Sequence, residues 1–285
     1  MIFTYNSATG KKEYSYDNQK KRERIKYFIW NFESHKLSAM LSKTIVKYIQ
    51  SLAHKKLRDE HGVFIAEGPK VVAELLHSNK FPCKIICGLQ SWMDDNAVLL
   101  RNISAEDKIE INESELERIS LLQTPNKVMA VFYKKENELT DLKNNFSLML
   151  DEIQDPGNMG TIIRTADWFG IKNIICSNEC ADCYNPKVLQ ASMGSLSRVN
   201  IIYTQLEEFI HENKGISIYA ATLTGKYLSS FTKLKEGIIL IGNESKGVKE
   251  NLLRLAAEQI TIPKYGEAES LNAGVAAGII LSHII

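Results

Sequence analysis

The chain has 285 residues, of which 44% are hydrophobic and 24% are charged. This composition is too apolar for a disordered chain, and the length favours two domains over one. The formal net charge is only +1, which excludes strong overall attraction to nucleic acid, so any basic surface must be local. The sequence has neither a long apolar run nor a signal-peptide core, and we therefore predict a soluble protein of the cytoplasm.

The five cysteines are an odd number, which is typical of reduced thiols rather than of a disulfide framework. Cys176, Cys180 and Cys183 lie close together in sequence, and zinc is one interpretation of them. They lack the paired CxxC spacing and a suitably placed fourth ligand. We therefore favour buried or surface thiols and predict no metal site.

Residues 1–39 differ from the rest of the chain. They are polar and basic, with little apolar periodicity, and we expect them to be poorly ordered. One interpretation is a basic arm that binds phosphates. The other, which we favour, is an upstream start codon assigned in error, with the working protein beginning at Met40.

Residues 40–135 are predicted to form a small α/β domain. From Leu41 the apolar residues recur at helical spacing, and the lysines and Arg58 are assigned to the solvated faces. Short strand-like and helical segments then alternate. Strands are expected at residues 63–66, 84–87, 108–111 and 128–133, and helices at residues 67–76 and 113–122.

Residues 136–145 are polar enough to be a linker. Residues 146–285 then alternate strand and helix in the manner of a parallel sheet that is covered on both faces. Strands are expected at residues 146–151, 173–176, 199–203, 216–221, 237–241 and 259–262. Helices are expected at residues 160–169, 186–194, 205–212, 249–256 and 271–283.

Three stretches of this second domain carry the functional signal. They read Asp-Pro-Gly-Asn-Met-Gly-Thr-Ile-Ile-Arg-Thr-Ala at 155–166, Ile-Gly-Asn-Glu-Ser-Lys-Gly at 241–247 and Ile-Pro-Lys-Tyr-Gly-Glu-Ala-Glu-Ser-Leu-Asn at 262–272. In this order and spacing they resemble the three motifs of the SpoU (TrmH-like) branch of the SPOUT RNA methyltransferases. The resemblance implies methyl transfer from S-adenosylmethionine to a ribose 2′-hydroxyl, a C-terminal trefoil knot and a homodimer.

The first domain is also similar to a part of that family. Residues 55–68 resemble the opening of the substrate-binding domain with the ribosomal protein L30e fold that many family members carry. The resemblance implies that residues 40–135 capture RNA. A separate capture domain favours ribosomal RNA over tRNA as the substrate, by analogy with the family.

The family resemblance implies a catalytic set of five residues: Arg164, Asn158, Glu244, Ser270 and Asn272. Asn158 can hydrogen-bond the ribose or orient Arg164, and Glu244 holds one of these two in place. Three of these residues, Arg164 among them, have a purely structural alternative. Glu244 would then cap a helix near Val248, and Ser270 would be only an N-cap.

Arg164 matches the family residue that is implicated in activating the 2′-hydroxyl. A guanidinium stays protonated, so we expect Arg164 to clamp the neighbouring phosphate and stabilise the developing alkoxide. The proton would leave through phosphate or water. The alternative is a surface arginine paired with Asp167, three positions away.

For the cofactor, the resemblance implies contacts with five residues: Gly242, Ile262, Leu271 and, more weakly, Thr222 and Leu223. The second loop is not a phosphate loop, because its lysine precedes the second glycine. Two positions depart from the family pattern. Lys264 replaces a methionine and is expected to alter the cofactor rim or meet RNA phosphate. Gly274 replaces a serine, which would lower activity or shift the catalytic burden to Ser270.

Other enzyme classes fit less well. None of the six histidines lies in the three motifs, and neither a GxSxG elbow nor a dinucleotide fingerprint after a strand is present. We therefore predict an S-adenosylmethionine-dependent RNA ribose 2′-O-methyltransferase acting on ribosomal RNA. The alternatives are a tRNA 2′-O-methyltransferase and a non-catalytic RNA-binding or ribosome-assembly protein.

Overall fold

A computed structural model describes residues 4–5, 12–13, 41–105, 107–231 and 234–285. The predicted basic extension, residues 1–39, lies outside these ranges apart from two residue pairs. These are Thr4–Tyr5 (β1) and Lys12–Glu13 (β2), which pair in antiparallel fashion. Residues 41–285 form a second, separate unit, which the following paragraphs describe.

A mixed four-stranded sheet forms the first half of this unit. Its strands are β3 (Val63–Glu67), β4 (Cys83–Leu89), β5 (Asp107–Ile111) and β6 (Val128–Tyr133). Their order is β3-β6-β4-β5, with β6 antiparallel to both neighbours and β4 parallel to β5. The predicted strands of this domain coincide with these to within two residues at each end.

Helices cover both faces of this small sheet, which explains why β3 is apolar along its whole length. Val63 and Ile65 pack into one core, whereas Phe64 and Ala66 pack into another. A strand buried on both faces has no polar side, so it lacks the usual alternation. The helices are α1 (Lys43–Ser51), α2 (Lys55–His61), α3 (Pro69–Ser78), α4 (Gln90–Asp95), α5 (Ala97–Arg101) and α6 (Glu113–Ile119).

The assignment of Arg58 to a solvated face is wrong. Its side chain is only 2% exposed, and Nη2 donates to Asp182 Oδ2 of the second domain at 2.7 Å. Nη1 donates to the carbonyl oxygens of Leu52 and Ala53 at 3.1 and 2.9 Å. The helix that begins at Leu41 in the sequence pattern is broken after Ser51, so the faces projected from α1 do not continue into α2.

A parallel six-stranded sheet forms the second half. Its strands are β7 (Phe146–Leu150), β8 (Asn173–Cys176), β9 (Asn200–Tyr203), β10 (Ile218–Tyr227), β11 (Gly237–Ile241) and β12 (Glu258–Thr261). Their order is β12-β10-β11-β7-β8-β9, and every neighbouring pair is parallel. The predicted fold class, a parallel α/β sheet preceded by a small α/β domain, is confirmed. The trefoil knot stays a prediction.

Helices lie on both faces of the large sheet. Leu148 and Leu150 of β7 pack in the core with α7, α8 and α11, and Met149 packs on the other side with α9 and α10. The helices are α7 (Pro156–Trp168), α8 (Pro186–Ser192), α9 (Leu206–Glu212), α10 (Glu250–Leu253) and α11 (Ala273–Ile284). No helix in the described part of the chain combines the length and the apolar character that a membrane crossing requires.

Strand β10 is longer than the pattern predicts, because it contains an extruded loop. Ala221 and Lys226 both pair with Ile260 of β12, so the residues between them bulge out of the ladder. A Cβ atom at Gly225 would lie 2.5 Å from the carbonyl carbon of Gln259, so only glycine permits this close return. Alternation of residue types does not encode such a bulge.

The segment predicted as a linker packs against the large sheet. Leu142 is 9% exposed and belongs to the core beneath α9 and α10. The backbone N–H and the hydroxyl of Thr140 both donate to Asn173 Oδ1, at 3.0 and 3.1 Å. Residues 136–145 therefore do not act as a free tether, and the domain boundaries themselves stay a prediction.

The two halves of the unit share a mixed apolar and polar interface. The Tyr184 ring lies 4.8 Å from the ring of Phe64, centroid to centroid. Gln190 Nε2 donates to the carbonyl oxygen of Glu67 at 2.7 Å. Lys80 Nζ donates to the carbonyl oxygen of Val199 at 2.9 Å, and its burial lowers the pKa of Lys80 to about 8. These contacts join the two sheets into one body.

Replacing Arg58 by methionine is expected to cost about 3–5 kcal/mol of unfolding free energy, because Asp182 loses its buried partner. Urea denaturation measures this change. The matched control is Lys55→Met, which removes an ion pair with Asp59 whose side chains are 64% and 46% exposed, and it should cost less than about 1 kcal/mol. Equal losses in the two variants would contradict the structural role of Arg58.

Candidate active site

The three motif loops meet at one edge of the large sheet. The first loop follows β7, the second follows β11 and the third follows β12. Because the strands are parallel, their carboxyl ends share that edge, which is the usual ligand side of such sheets. The second and third loops, together with the bulge in β10, line an open cavity of about 890 Å³.

Three polar side chains, one from each motif, form a continuous hydrogen-bonded line beside this cavity. Asn158 Nδ2 donates to Glu244 Oε1. Asn272 Nδ2 donates to Asn158 Oδ1 at 2.6 Å. The Asn158 amide is thus fixed in orientation by an acceptor on one side and a donor on the other. One proton of its amino group is left for a further acceptor.

Helix ends hold two members of this line in place. Asp155 is the N-cap of α7, and its Oδ1 accepts the backbone N–H of Asn158 at 2.8 Å. Asn272 is the N-cap of α11, and its Oδ1 accepts the N–H groups of Gly274 and Val275 at 3.0 and 3.2 Å. Capping satisfies backbone donors that would otherwise have no partner, so each side chain has a structural reason for its position.

Arg164 lies apart from this line. It follows Asn158 by six residues on α7, about 240° around the helix axis, and its side chain is exposed. Asp167, the alternative partner, forms an ion pair with Arg198 at 2.9 Å instead. Within the described ranges Arg164 makes no hydrogen bond or ion pair, so its guanidinium keeps all its donors available.

The structural alternatives for Glu244 and Ser270 are wrong. The N-cap of α11 is Asn272, and Ser270 is an exposed residue that lines the cavity. The N-cap of α10 is Lys249, and its side chain makes no capping hydrogen bond there. Glu244 instead contacts Asn158, which is one of the two residues that it was predicted to hold in place.

All five predicted cofactor residues line the cavity: Thr222, Leu223, Gly242, Ile262 and Leu271. Two features fit a bound ligand. Thr222 Oγ1 is buried without a protein partner, and buried hydroxyls normally have one. A Cβ atom at Gly242 would lie 2.3 Å from the carbonyl carbon of Gly247, so glycine lets the second loop fold back and leave the cavity open. The volume suits a drug-sized molecule.

The two departures from the family pattern have different surroundings. Lys264 is exposed on the cavity rim. Gly274 is buried, and a Cβ atom there would lie 2.8 Å from Thr161 Cγ2 and 3.3 Å from Asn272 Oδ1. A serine at this position would therefore displace Thr161, so the close packing of α7 on α11 accounts for the glycine.

Sequence reasoning missed Glu152, which links the first and second loops. Its carboxylate pairs with Lys249 at 2.8 Å and with Lys246 at 3.1 Å. The hydrogen bonds from Lys249 and Lys246 hold the pKa of Glu152 below its usual range, and the same contact raises the pKa of Lys249. The only sequence signal was two adjacent acidic residues, Asp151 and Glu152, directly before the first motif.

The five cysteines are free and buried. Cys180 Sγ accepts the N–H of Ile153 and donates to the carbonyl oxygen of Leu150, both at 3.3 Å. These two hydrogen bonds hold the start of the first loop in place. A hydrogen bond from Cys176 lowers the pKa of Cys180, whereas burial raises that of Cys183 to about 12. Among the described residues, no three His, Cys, Asp or Glu side chains are grouped as metal ligands.

Comparison with known proteins gives two family matches. The SpoU rRNA Methylase family matches residues 145–282, and the MRM3-like substrate binding domain matches residues 43–130. The chain is 29% identical over 254 residues to the 23S rRNA (guanosine(2553)-2′-O)-methyltransferase RlmP of Bacillus subtilis. That alignment covers 84% of this chain and 95% of the relative.

Solved structures give the same picture. An AdoMet-bound rRNA methyltransferase from Sinorhizobium meliloti has a TM-score of 0.75 and 31% identity, covering 86% of this chain and 96% of that one. A TrmH-family protein from Porphyromonas gingivalis has a TM-score of 0.75 and 34% identity, covering 86% and 98%. Both alignments therefore span the small domain as well as the large one.

The Gly274→Ala variant is expected to lower the unfolding free energy by about 1–3 kcal/mol, because the new methyl group overpacks against Thr161. Thr161→Ala should relieve the contact, so that the double variant is more stable than the sum of the two single changes requires. Thermal or urea unfolding of the four proteins measures this coupling. If the changes in unfolding free energy of the two single variants simply add, α7 and α11 can move apart at this contact without an energetic cost.

Proposed function

Because this chain belongs to the SpoU rRNA methylase family, we propose that it transfers a methyl group from S-adenosylmethionine to a ribose 2′-hydroxyl of ribosomal RNA. The observation that carries the proposal is the hydrogen-bonded line of Asn158, Glu244 and Asn272 beside the cavity. This line contains one residue from each of the three family motifs. Ribosomal RNA is supported by the curated relative of Bacillus subtilis, which acts on 23S rRNA.

The cavity residues fit the proposed cofactor. S-Adenosylmethionine supplies an electrophilic methyl group on a sulfonium centre. Main-chain groups at Gly242, Ile262 and Leu271 would hold it, with Thr222 Oγ1 offering a buried polar partner and Leu223 an apolar edge. The rRNA methyltransferase structure from Sinorhizobium meliloti, which is AdoMet bound, supports this choice.

The polar residues divide the remaining work. Asn158 presents an amide proton beside the cavity, where it can orient the ribose hydroxyl. Glu244 keeps that amide from rotating. Arg164 has free guanidinium donors for the neighbouring phosphate and for the developing alkoxide. The hydroxyl proton then leaves through phosphate or water.

The small domain is the proposed RNA-capture domain. Its match to a substrate-binding domain family over residues 43–130 supports this role. The contacts of Arg58, Lys80 and Tyr184 hold it firmly on the methyltransferase domain. RNA bound by one domain would therefore lie at a defined distance from the cavity of the other.

We also propose a homodimer, located in the cytoplasm. Helices α7 and α11 pack together through Thr161 and Gly274, and their outer surface exposes Trp168 at 85%, Val275 at 50% and Ile279 at 38%. Such apolar side chains are typical of an association surface. Arg164 lies one turn before Trp168, so association through this surface would bring each Arg164 next to the other copy.

Labelled methyl transfer tests the proposed reaction. With S-adenosylmethionine and unmodified large-subunit rRNA, small-subunit rRNA or tRNA, we expect a 2′-O-methylnucleoside from rRNA. Label in tRNA alone would select the alternative substrate. No label on any RNA, with no cofactor binding, would select the non-catalytic RNA-binding protein.

In the same assay, Arg164→Ala should lower kcat by about 10²–10³-fold, because transition-state stabilisation is lost. Its Kd for the cofactor should stay unchanged. The control is Arg254→Ala, an exposed arginine with an i,i+4 partner, which should be fully active. If Arg164→Ala stays within a few-fold of the unaltered protein, its catalytic assignment is wrong.

Light scattering after size exclusion tests the dimer. We expect twice the chain mass of 32.2 kDa at micromolar concentration, and a shift to monomer in Trp168→Glu, because a buried charge would oppose association. Val98→Glu changes another exposed apolar residue, 73% exposed in the small domain, and should remain dimeric. A monomeric unaltered protein would refute the dimer.

A further inference from the structure

Glu152 has an unusual backbone for its residue type. It follows β7 and Asp151, and its φ is 54°, in the left-handed region. A residue with a side chain adopts this region only rarely, because its Cβ atom is crowded there. Its N–H donates to Ser177 Oγ at 3.1 Å, and this hydrogen bond stabilises the turn. Strain of this kind persists where surrounding contacts determine it, often at functional sites.

Three groups of the second loop converge on this one residue. The carbonyl oxygen of Glu152 accepts a hydrogen bond from Asn243 Nδ2 at 2.8 Å. The carboxylate accepts from Lys249 Nζ on Oε1 and from Lys246 Nζ on Oε2. The side chain of Glu152 is only 14% exposed, so the lysines cover it.

The second loop is a closed turn that is held together by its own hydrogen bonds. Asn243 and Gly247 exchange two backbone hydrogen bonds, of 3.1 and 2.8 Å. Asn243 Oδ1 accepts the N–H groups of Ser245 and Lys246. A shift at its contact with Glu152 is therefore transmitted to Glu244, which lies inside the turn, and to the cavity wall.

We propose that Glu152 is a positioning residue, which sets the second loop against the first and thereby aligns Glu244 with Asn158. The inference rests on the proposed function, because it concerns the same site. Glu152 lies at the start of the first loop and Asn158 lies in the first turn of α7, which follows that loop, and each contacts the second loop. Glu152 joins the two loops through its ion pairs with lysines, and Asn158 joins them through its hydrogen bond to Glu244 beside the cavity.

The charges of this attachment balance. Asp151 accepts the backbone N–H of Lys249 at 2.9 Å and lies 3.5 Å from its ammonium group. Two carboxylates thus face two lysines. A neutral glutamine at position 152 would keep the backbone contacts and the volume, but it would leave Lys246 without its ionic partner. Loss of charge alone should loosen the loop.

Glu152→Gln should lower kcat about tenfold, since small misplacements of reacting groups are costly. The KM for RNA should stay within about twofold, because Glu152 contacts neither the small domain nor the rim. The Lys246→Met/Lys249→Met protein should lose a similar factor. Combined with Glu152→Gln it should lose no more than either alone, because all three changes break one attachment. A multiplied, roughly hundredfold loss would overturn the proposal.

Glu258→Gln is the matched control. Glu258 pairs with Lys226 at 2.8 Å on the same sheet, away from the motif loops, and its loss should leave kcat unchanged. Amide hydrogen exchange adds a readout that does not need activity. Exchange at 243–248 should rise in Glu152→Gln and not in Glu258→Gln. If the unaltered protein transfers no methyl group, the proposed function fails, while equal exchange in both variants refutes the role of Glu152 separately.

Discussion

The position of β11 between β7 and β10 is the constraint on which the active site depends. Register pairs Ile241 with Leu150, so the first and second motifs leave the sheet side by side. Chain separation between them is large, and only hydrogen bonding between the two parallel strands brings them together. Asn158 then reaches Glu244 within one hydrogen bond. A slip of one residue would exchange the residues that pack on the two apolar faces of the sheet, and it would move the two loops out of alignment.

The same sheet edge explains how few side chains the chemistry requires. Methyl transfer needs alignment more than it needs acid or base strength, because the cofactor carries the reactive centre. Most polar side chains of the cluster accordingly cap helices or fix one another. Asp155 and Asn272 are N-caps. The same hydrogen bonds therefore stabilise the helix ends and orient the side chains, whereas the exposed Arg164 has no hydrogen-bond partner among the described residues.

The attachment of the small domain gives the protein a fixed geometry between its two halves. A buried ion pair, a buried lysine and an aromatic cluster share the interface. Because desolvation of such charges is costly, each of them requires the partner that it has at the interface. An RNA that contacted both domains would therefore meet a surface of fixed geometry.

The sequence by itself determined the fold class, the strand pattern and the identity of the motif residues. Apolar periodicity is a local property, and short motifs with rare residue combinations can be recognised from the sequence alone. Tertiary structure alone decided the burial of Arg58, the bulge in β10, the packing of residues 136–145 and the ion pairs of Glu152. Each of these depends on contacts between residues far apart in the chain. Arg58 reads as solvated until Asp182 is placed beside it, and Glu152 reads as an ordinary acidic residue until two lysines from another loop converge on it.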